Sequence, residues 1–398
     1  MMNVISFIGL GKLGLPLACC LAIGGNKVLG VDKNEHVLSL LSRGELPFYE
    51  PGLKERFGNP GLYDFTDSYS RAVEETDASI VLVNTQLGDN GYSSELVECV
   101  VSDLAVNLKK SGKSYHLIII SSTVLPGTLR KLIGIVENVS GRKFGEGFGL
   151  THVPDFVKLG SVIHDFENPE FFLIGGENQR DIDLTKEIWS KIHKNNPPCN
   201  ILTLEEAEIA KISLNAYIVS KITFANFLGV LCDGMDNVNV HNITRVIGQD
   251  KRISPYFFGS GAPYGGTCFP RDAAAFIKFA KDRGHLAKSL TFSEEINELV
   301  YSKLLETASE YNSIGILGLS FKKDSPVIVS SPSFRLLKDL QKLGKVVKFH
   351  DFCEIPGYPS EPIESVINSD VTFIMHPDSR YKNNNYNNVV DVWGILNI

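Results

Sequence analysis

The run Gly9-Leu10-Gly11-Lys12-Leu13-Gly14 constrains the fold more than any other feature of the chain. It leaves a short branched-apolar stretch, Val4–Gly9, and opens a helical one, so it reads as the first turn of a βαβ unit. Glycines there let a pyrophosphate approach a helix N-terminus, where unpaired N–H groups and the helix dipole favour negative charge. Asp32 ends the next strand, 18 residues after Gly14. A carboxylate at that place accepts the ribose hydroxyls of NAD and repels the additional phosphate of NADP. The alternative is a tight turn followed by a solvated acid.

Further strands are predicted at Lys27–Asp32, Ser79–Asn84, His116–Ser121 and Phe171–Gly175, with helical patterns between them. This alternation predicts a parallel sheet covered on both faces. From Thr203 the character changes. Thr203 and Glu206 form a capping box, and a proline-free helical pattern runs from Leu204 to Cys232. That length exceeds an ordinary βα unit and suits a spine between domains or subunits. From Asn312 the α/β alternation returns. Strands are expected at Ser313–Leu317 and Lys345–His350, around a helix capped by Ser331, begun by Pro332 and ended by Gly344. The run Glu364–Met375 repeats the pattern of Arg71–Val83. The expected architecture is α/β, with two Rossmann-type parallel-sheet domains joined by a central all-helical segment. The domain spans are 1–200, 201–311 and 312–398.

The 398 residues are 43% apolar and 21% charged, enough for a globular core in several domains. A net charge of −7 without runs of one sign argues against nucleic-acid binding. No continuous apolar run reaches the ~18 residues of a membrane span, so no membrane partner is expected. The apolar N-terminus lacks the basic region of a signal peptide. Seven scattered cysteines show neither a disulfide framework nor a metal pair, which fits a reducing cytoplasm and no metal site.

Three further places carry chemistry. Cys268 lies in Gly265-Gly266-Thr267-Cys268-Phe269-Pro270-Arg271-Asp272, where the glycines are expected to leave room for a ligand and Arg271 supplies a cation. It is either a nucleophile or a small core residue. Lys211 and Asn215 are four apart on the capped helix and share a face, so they either hold an oxyanion or sugar hydroxyl or belong to a solvated surface. Thr123, in Ser122–Thr128 directly after a strand, sits in the ligand crevice of such sheets or caps a helix.

Together these motifs resemble the UDP-glucose/GDP-mannose dehydrogenase family. The matching elements, in order, are GLGKLG, PFYEPGL at Pro47–Leu53, STVLPGT at Ser122–Thr128 and HVPDFVKLGS at His152–Ser161. EAEIAKISLNAY at Glu206–Tyr217, DKRI at Asp250–Ile253, GAPYGGTCFPRD at Gly261–Asp272 and GLSFKKDSP at Gly318–Pro326 follow. The resemblance implies that the C6 alcohol of a UDP-sugar is oxidised twice with NAD⁺, UDP-glucose to UDP-glucuronate being the first choice of substrate. Cys268 would hold the aldehyde as a thiohemiacetal and then a thioester. Lys211 and Asn215 would stabilise the oxyanion, Asp272 would assist the water or the thiol, Thr123 would hold a bridging water, and Asp155 would act as general base.

NAD would be bound by Gly9, Gly11, Lys12, Leu13, Gly14, Asp32, Thr85, Thr123 and Arg271. The substrate would touch Asp155, Lys211, Asn215, Tyr256, Phe257, Phe258, Gly259, Gly265 and Lys322, with Arg252 reaching it from a neighbouring subunit of a homodimer. Four positions depart from the family pattern: Asp155 replaces a glutamate, Leu159 a second carboxylate, Gln86 a proline and Val329 an arginine. Competing readings are a UDP-N-acetylhexosamine 6-dehydrogenase, a two-electron 3-hydroxyacid or 6-phosphogluconate dehydrogenase, and a binder without turnover.

Overall fold

The computed structural model describes residues 4–85, 87–88 and 91–396, so Gln86 lies outside the described residues. The chain divides into two units, Met1–Ile212 and Ser213–Ile398, and the boundary falls inside the long helix Leu204–Cys232.

In the first unit the strands are β1 Val4–Ile8, β2 Lys27–Val31, β3 Leu62–Thr66, β4 Ala78–Val81, a hairpin of β5 Leu87–Gly88 and β6 Gly91–Tyr92, then β7 Leu117–Ile120, β8 Gly149–His152, β9 Phe172–Gly175 and β10 Cys199–Leu202. Eight of them form one sheet in the order β10-β9-β8-β7-β4-β1-β2-β3. All neighbours pair parallel except β8 with β9, which run antiparallel, so the sheet is mixed rather than wholly parallel.

The alternation of apolar side chains explains why both faces are covered. Ile5, Phe7, Leu117 and Ile119 enter one core with the helix Gly14–Ile23. Ile8, Ile118 and Ile120 enter the other with the helices Glu95–Lys110 and Thr128–Ser140.

Several strands stop earlier than their apolar runs. β1 ends at Ile8 because Gly9 turns at φ +98°. β2 ends at Val31, and the carboxylate of Asp32 just beyond it accepts the Leu10 N–H at 2.7 Å. β4 ends at Val81, since Val83 is held by the Ser122 hydroxyl, which accepts its N–H and donates to its carbonyl, each at 2.9 Å.

The capping box forms as expected: Thr203 N–H meets Glu206 Oε2 at 2.8 Å, and Glu206 N–H meets Thr203 Oγ1 at 3.2 Å. The helix it starts is long and apolar enough to cross a membrane, with a mean hydropathy of 1.3 over 18 residues. Continuous apolar runs miss this because Lys211 and Lys221 interrupt the pattern. Leu204, Ala207, Ile212, Ala216, Val219 and Ala225 of this helix are buried in the protein.

The second unit carries a four-stranded parallel sheet in the order β12-β11-β13-β14, from β11 Ser313–Leu317, β12 Val346–His350, β13 Val371–Ile374 and β14 Val389–Asp391. Ser331 caps the helix Pro332–Lys342 by accepting the Phe334 N–H, and Gly344 follows at φ +74°. At the end of β12, Asp351 Oδ2 accepts the N–H groups of Leu319 and Ser320 at 2.9 and 3.0 Å. This repeats the Asp32–Leu10 bond of the first unit.

Candidate active site

In the first unit the sheet order reverses between β1 and β4, and their carboxyl ends form the crevice in which such sheets bind ligands. The glycine turn is built for a close approach. A Cβ on Gly14 would strike the Gly9 carbonyl oxygen, and one on Gly9 would strike the Leu82 carbonyl oxygen, so the turn is pressed against the β4 loop. A Cβ on Gly11 would meet nothing within 4 Å, so its side of the turn is open to a phosphate. Asp32 Oδ1 accepts the Asn34 N–H at 2.9 Å, which fixes the carboxylate beside the turn. Lys12 is exposed, Leu13 packs on the core behind the turn, and Thr85 is buried in the β4 loop. These features fit a dinucleotide: Gly11 gives access, Lys12 a cation and Asp32 hydroxyl acceptors.

The loops after β7 and β8 carry the reactive groups of this unit. Thr123 follows β7 and is half-buried. The helix after it is capped by Gly127, not by Thr123, which rules out the capping alternative. Asp155 follows β8. Burial pushes its carboxyl up to about 7, against the pull of the Lys211 ammonium. Lys211 is buried, donates to the Asp155 carbonyl and lies 4.8 Å from the centre of the Phe156 ring. Lys211 is therefore not a solvated surface residue. Leu159, which stands in the place of the second carboxylate of the family pattern, packs against the apolar core.

Glu50 of the PFYEPGL motif, which sequence reasoning left without a role, is buried. It accepts the N–H groups of Gly160 and Val162 at 3.1 and 2.9 Å, tying that motif to the segment that carries Asp155.

In the second unit Cys268 is exposed and forms the N-cap of the helix Phe269–Asp282, so it is not a core cysteine. Thr267 Oγ1 is 3.5 Å from its sulfur. The N–H groups of the first helical turn favour negative charge beside it. One turn in, Asp272 is 1% exposed, and burial pushes its carboxyl up to about 8. Asn215 donates its amide N–H to Asp272 Oδ2. The Arg271 guanidinium lies 4.0 Å from the other carboxylate oxygen, and burial lowers its own proton affinity.

The glycines before Cys268 serve packing rather than ligand access. A Cβ on Gly265 would strike the Ser330 carbonyl oxygen, and one on Gly266, at φ +79°, would come within 2.6 Å of the Phe321 ring. This corrects the expectation that they leave space for a ligand. It also brings the cysteine loop against the loop that carries Lys322.

Two amides that the sequence did not flag hold the cysteine loop. Asn226 Oδ1 accepts the Gly261 N–H at 2.8 Å, and Asn297 Oδ1 accepts the Tyr264 N–H at 2.7 Å. The Arg252–Gly259 segment is held by Lys221, which donates to the carbonyls of Ile253 and Tyr256 at 2.8 and 2.7 Å. There Arg252 is exposed and pairs with Asp250 at 2.6 Å, and Tyr256 and Gly259 are exposed. Phe257 meets the Phe269 ring edge-on at 5.8 Å. Phe258 is buried and stacks on Phe224, so only its backbone is available to a ligand. Val329 is 56% exposed.

Residues 3–193 match the NAD binding domain of the UDP-glucose/GDP-mannose dehydrogenase family, and residues 205–299 match its central domain. UDP-glucose 6-dehydrogenase AglM of Haloferax volcanii is 32% identical over 362 residues, covering 87% of this chain and 83% of that protein. A GDP-mannose 6-dehydrogenase of Pseudomonas aeruginosa is 30% identical over 376 residues, covering 91% and 85%. The solved structure of a UDP-glucose dehydrogenase from Pyrobaculum islandicum aligns with a TM-score of 0.90 at 27% identity, over 99% of this chain and 94% of that one. Family models matched over most of the chain, and a relative 32% identical over 87% of it, show that the chain belongs to the UDP-glucose/GDP-mannose dehydrogenase family of NAD-dependent oxidoreductases.

Proposed function

We propose that the protein oxidises the C6 alcohol of a UDP-sugar to a carboxylate, with UDP-glucose to UDP-glucuronate as the reaction. The observation that carries this reading is Cys268, exposed at a helix N-terminus, with the buried Asp272, which accepts from Asn215, one turn behind it. The names of relatives such as the Haloferax protein support the choice of UDP-glucose.

The glycine turn and Asp32 hold NAD⁺, which supplies a hydride acceptor. Lys211, buried and cationic, stabilises the alkoxide that develops at C6. After the first two-electron oxidation the Cys268 sulfur adds to the aldehyde carbon and holds it as a thiohemiacetal. The second two-electron oxidation leaves a thioester. Water then attacks the thioester carbon, the C–S bond breaks, and the carboxylate leaves with the thiol restored. Asp155, whose carboxyl titrates near neutral pH, takes the proton of that water, and Thr123 orders the water. Asp272 exchanges a proton with the Cys268 thiol, held in place by Asn215. Arg271 is assigned to NAD, and Lys322 and the Tyr256–Gly259 segment to the nucleotide-sugar.

We also propose a cytoplasmic homodimer. Leu214, Tyr217, Phe224 and Leu231 leave one face of the long helix apolar and exposed, a surface suited to a second copy. Arg252 then reaches the partner's substrate.

The test is a panel of UDP- and GDP-sugars with NAD⁺, followed by the absorbance of NADH. Two NADH per UDP-glucose support the reading. One NADH per substrate points to a two-electron dehydrogenase. Preference for a UDP-N-acetylhexosamine or GDP-mannose replaces the substrate but keeps the chemistry.

A further inference from the structure

The first unit buries a carboxylate that the reaction above does not use. Glu208 is 0% exposed, and its two oxygens accept the N–H groups of Gly127 and Leu129 at 2.7 and 2.8 Å. Those donors open the helix Thr128–Ser140, whose N-cap is Gly127. A glycine has no side chain to satisfy the first-turn N–H groups, so the long helix Leu204–Cys232 supplies the cap from a distant part of the chain. The cost of burying a carboxylate is evident, since burial pushes this group up to about 7 even against the backbone donors.

The location gives the carboxylate its meaning. The loop it pins begins at the end of β7 with Ser122 and Thr123. Three residues beyond Glu208, on the same side of the helix, Lys211 donates to the Asp155 carbonyl after β8. The helix is thus fastened to the loops after two neighbouring strands, by Glu208 to one and by Lys211 to the other.

We propose that Glu208 is a positioning residue for catalysis, setting the register of the long helix against the Thr123 loop so that the Lys211 ammonium stands at the carboxyl end of the sheet. The inference rests on the role given to Lys211 above.

The test compares kcat and KM of wild type, E208Q, E208D, K211A and E208Q/K211A. The assay uses NAD⁺ and the best UDP-sugar of the panel, well below the melting temperature. E208Q turns one acceptor into a donor facing a backbone N–H. E208D keeps the charge and loses one methylene of reach. Both lower kcat by about 10- to 100-fold, with the KM for NAD⁺ within about twofold. In the K211A background E208Q then has little further effect, because the two residues act through one group.

A lower melting temperature with kcat held within about twofold overturns the proposal and leaves Glu208 a helix cap only. Independent, multiplying effects of E208Q and K211A overturn it as well. If E208Q does not fold, E208D at full kcat overturns it. A slow K211A beside a fully active E208Q removes the role of Glu208 alone, whereas a fully active K211A removes the reading of Lys211 and this inference with it.

Discussion

Replacing Asp272 by asparagine should make the protein more stable above neutral pH while removing turnover. Asp272 is 1% exposed, and burial lifts its carboxyl to about 8. In the unfolded chain an aspartate ionises near ~3.9. Between these values the unfolded chain holds fewer protons than the folded one, so stability falls as the pH rises. At ~1.4 kcal/mol per pH unit, the loss by neutral pH is at most about 4 kcal/mol. The Arg271 guanidinium, 4.0 Å away, and the Asn215 amide both favour the ionised form and reduce that loss.

Asparagine keeps the shape and an oxygen for the Asn215 N–H, but cannot ionise. The net gain is therefore about 1–3 kcal/mol. In a unit the size of Ser213–Ile398, each kcal/mol moves the melting temperature by about 2–4 °C. Thermal unfolding of wild type and D272N, measured without ligands near pH 5 and pH 8, reads the effect directly. D272N should melt higher at pH 8, with the gap narrowing towards pH 5. A variant that melts lower at pH 8, or a gap that ignores pH, refutes the argument that Asp272 is held protonated by burial.

Three other substitutions test separate links. G14A places a methyl against the Gly9 carbonyl, so the turn must open; NAD⁺ affinity, followed by quenching of protein fluorescence, should fall at least about tenfold, with a stability cost of about 1–3 kcal/mol. Asp155 acts as a base only when ionised, and its carboxyl sits near 7. Wild-type kcat should therefore drop as the pH falls below about 7, and D155N should lose both rate and that acid limb in a pH–rate profile. N226A leaves the buried Gly261 N–H without its acceptor at 2.8 Å; it should destabilise the protein by about 1–3 kcal/mol in denaturant unfolding.

Much of this was legible where the signal is local. Thr203, Glu206 and the absence of proline set the long helix at Leu204–Cys232, and Ser331, Pro332 and Gly344 set the helix Pro332–Lys342 within a residue or two. β-branched runs located most of the buried strands, but not β8, which is buried along its length and has Thr151 as its one β-branched residue. The edge strands β3 and β10 escaped because they are half exposed and lack a continuous apolar run. The antiparallel pairing of β8 with β9 has no local signature.

The site divides in the same way. Cys268, Asp32 and the glycine turn announce themselves by motif. Glu50, Glu208, Asn226 and Asn297 act through backbone groups far along the chain, and polar residues on helices give no sign of such partners. Gly265 and Gly266 were noticed for the wrong reason, because a sequence shows that a Cβ is missing but not which atom forbids it.

The most direct test of the account is the mass of the Cys268 peptide from enzyme quenched in acid during turnover with NAD⁺ and the preferred UDP-sugar. A mass increase equal to the oxidised sugar nucleotide is expected, confined to Cys268 and absent from C268A, which does not turn over. An unmodified Cys268 peptide together with a C268A variant that forms carboxylate at the wild-type rate would contradict it.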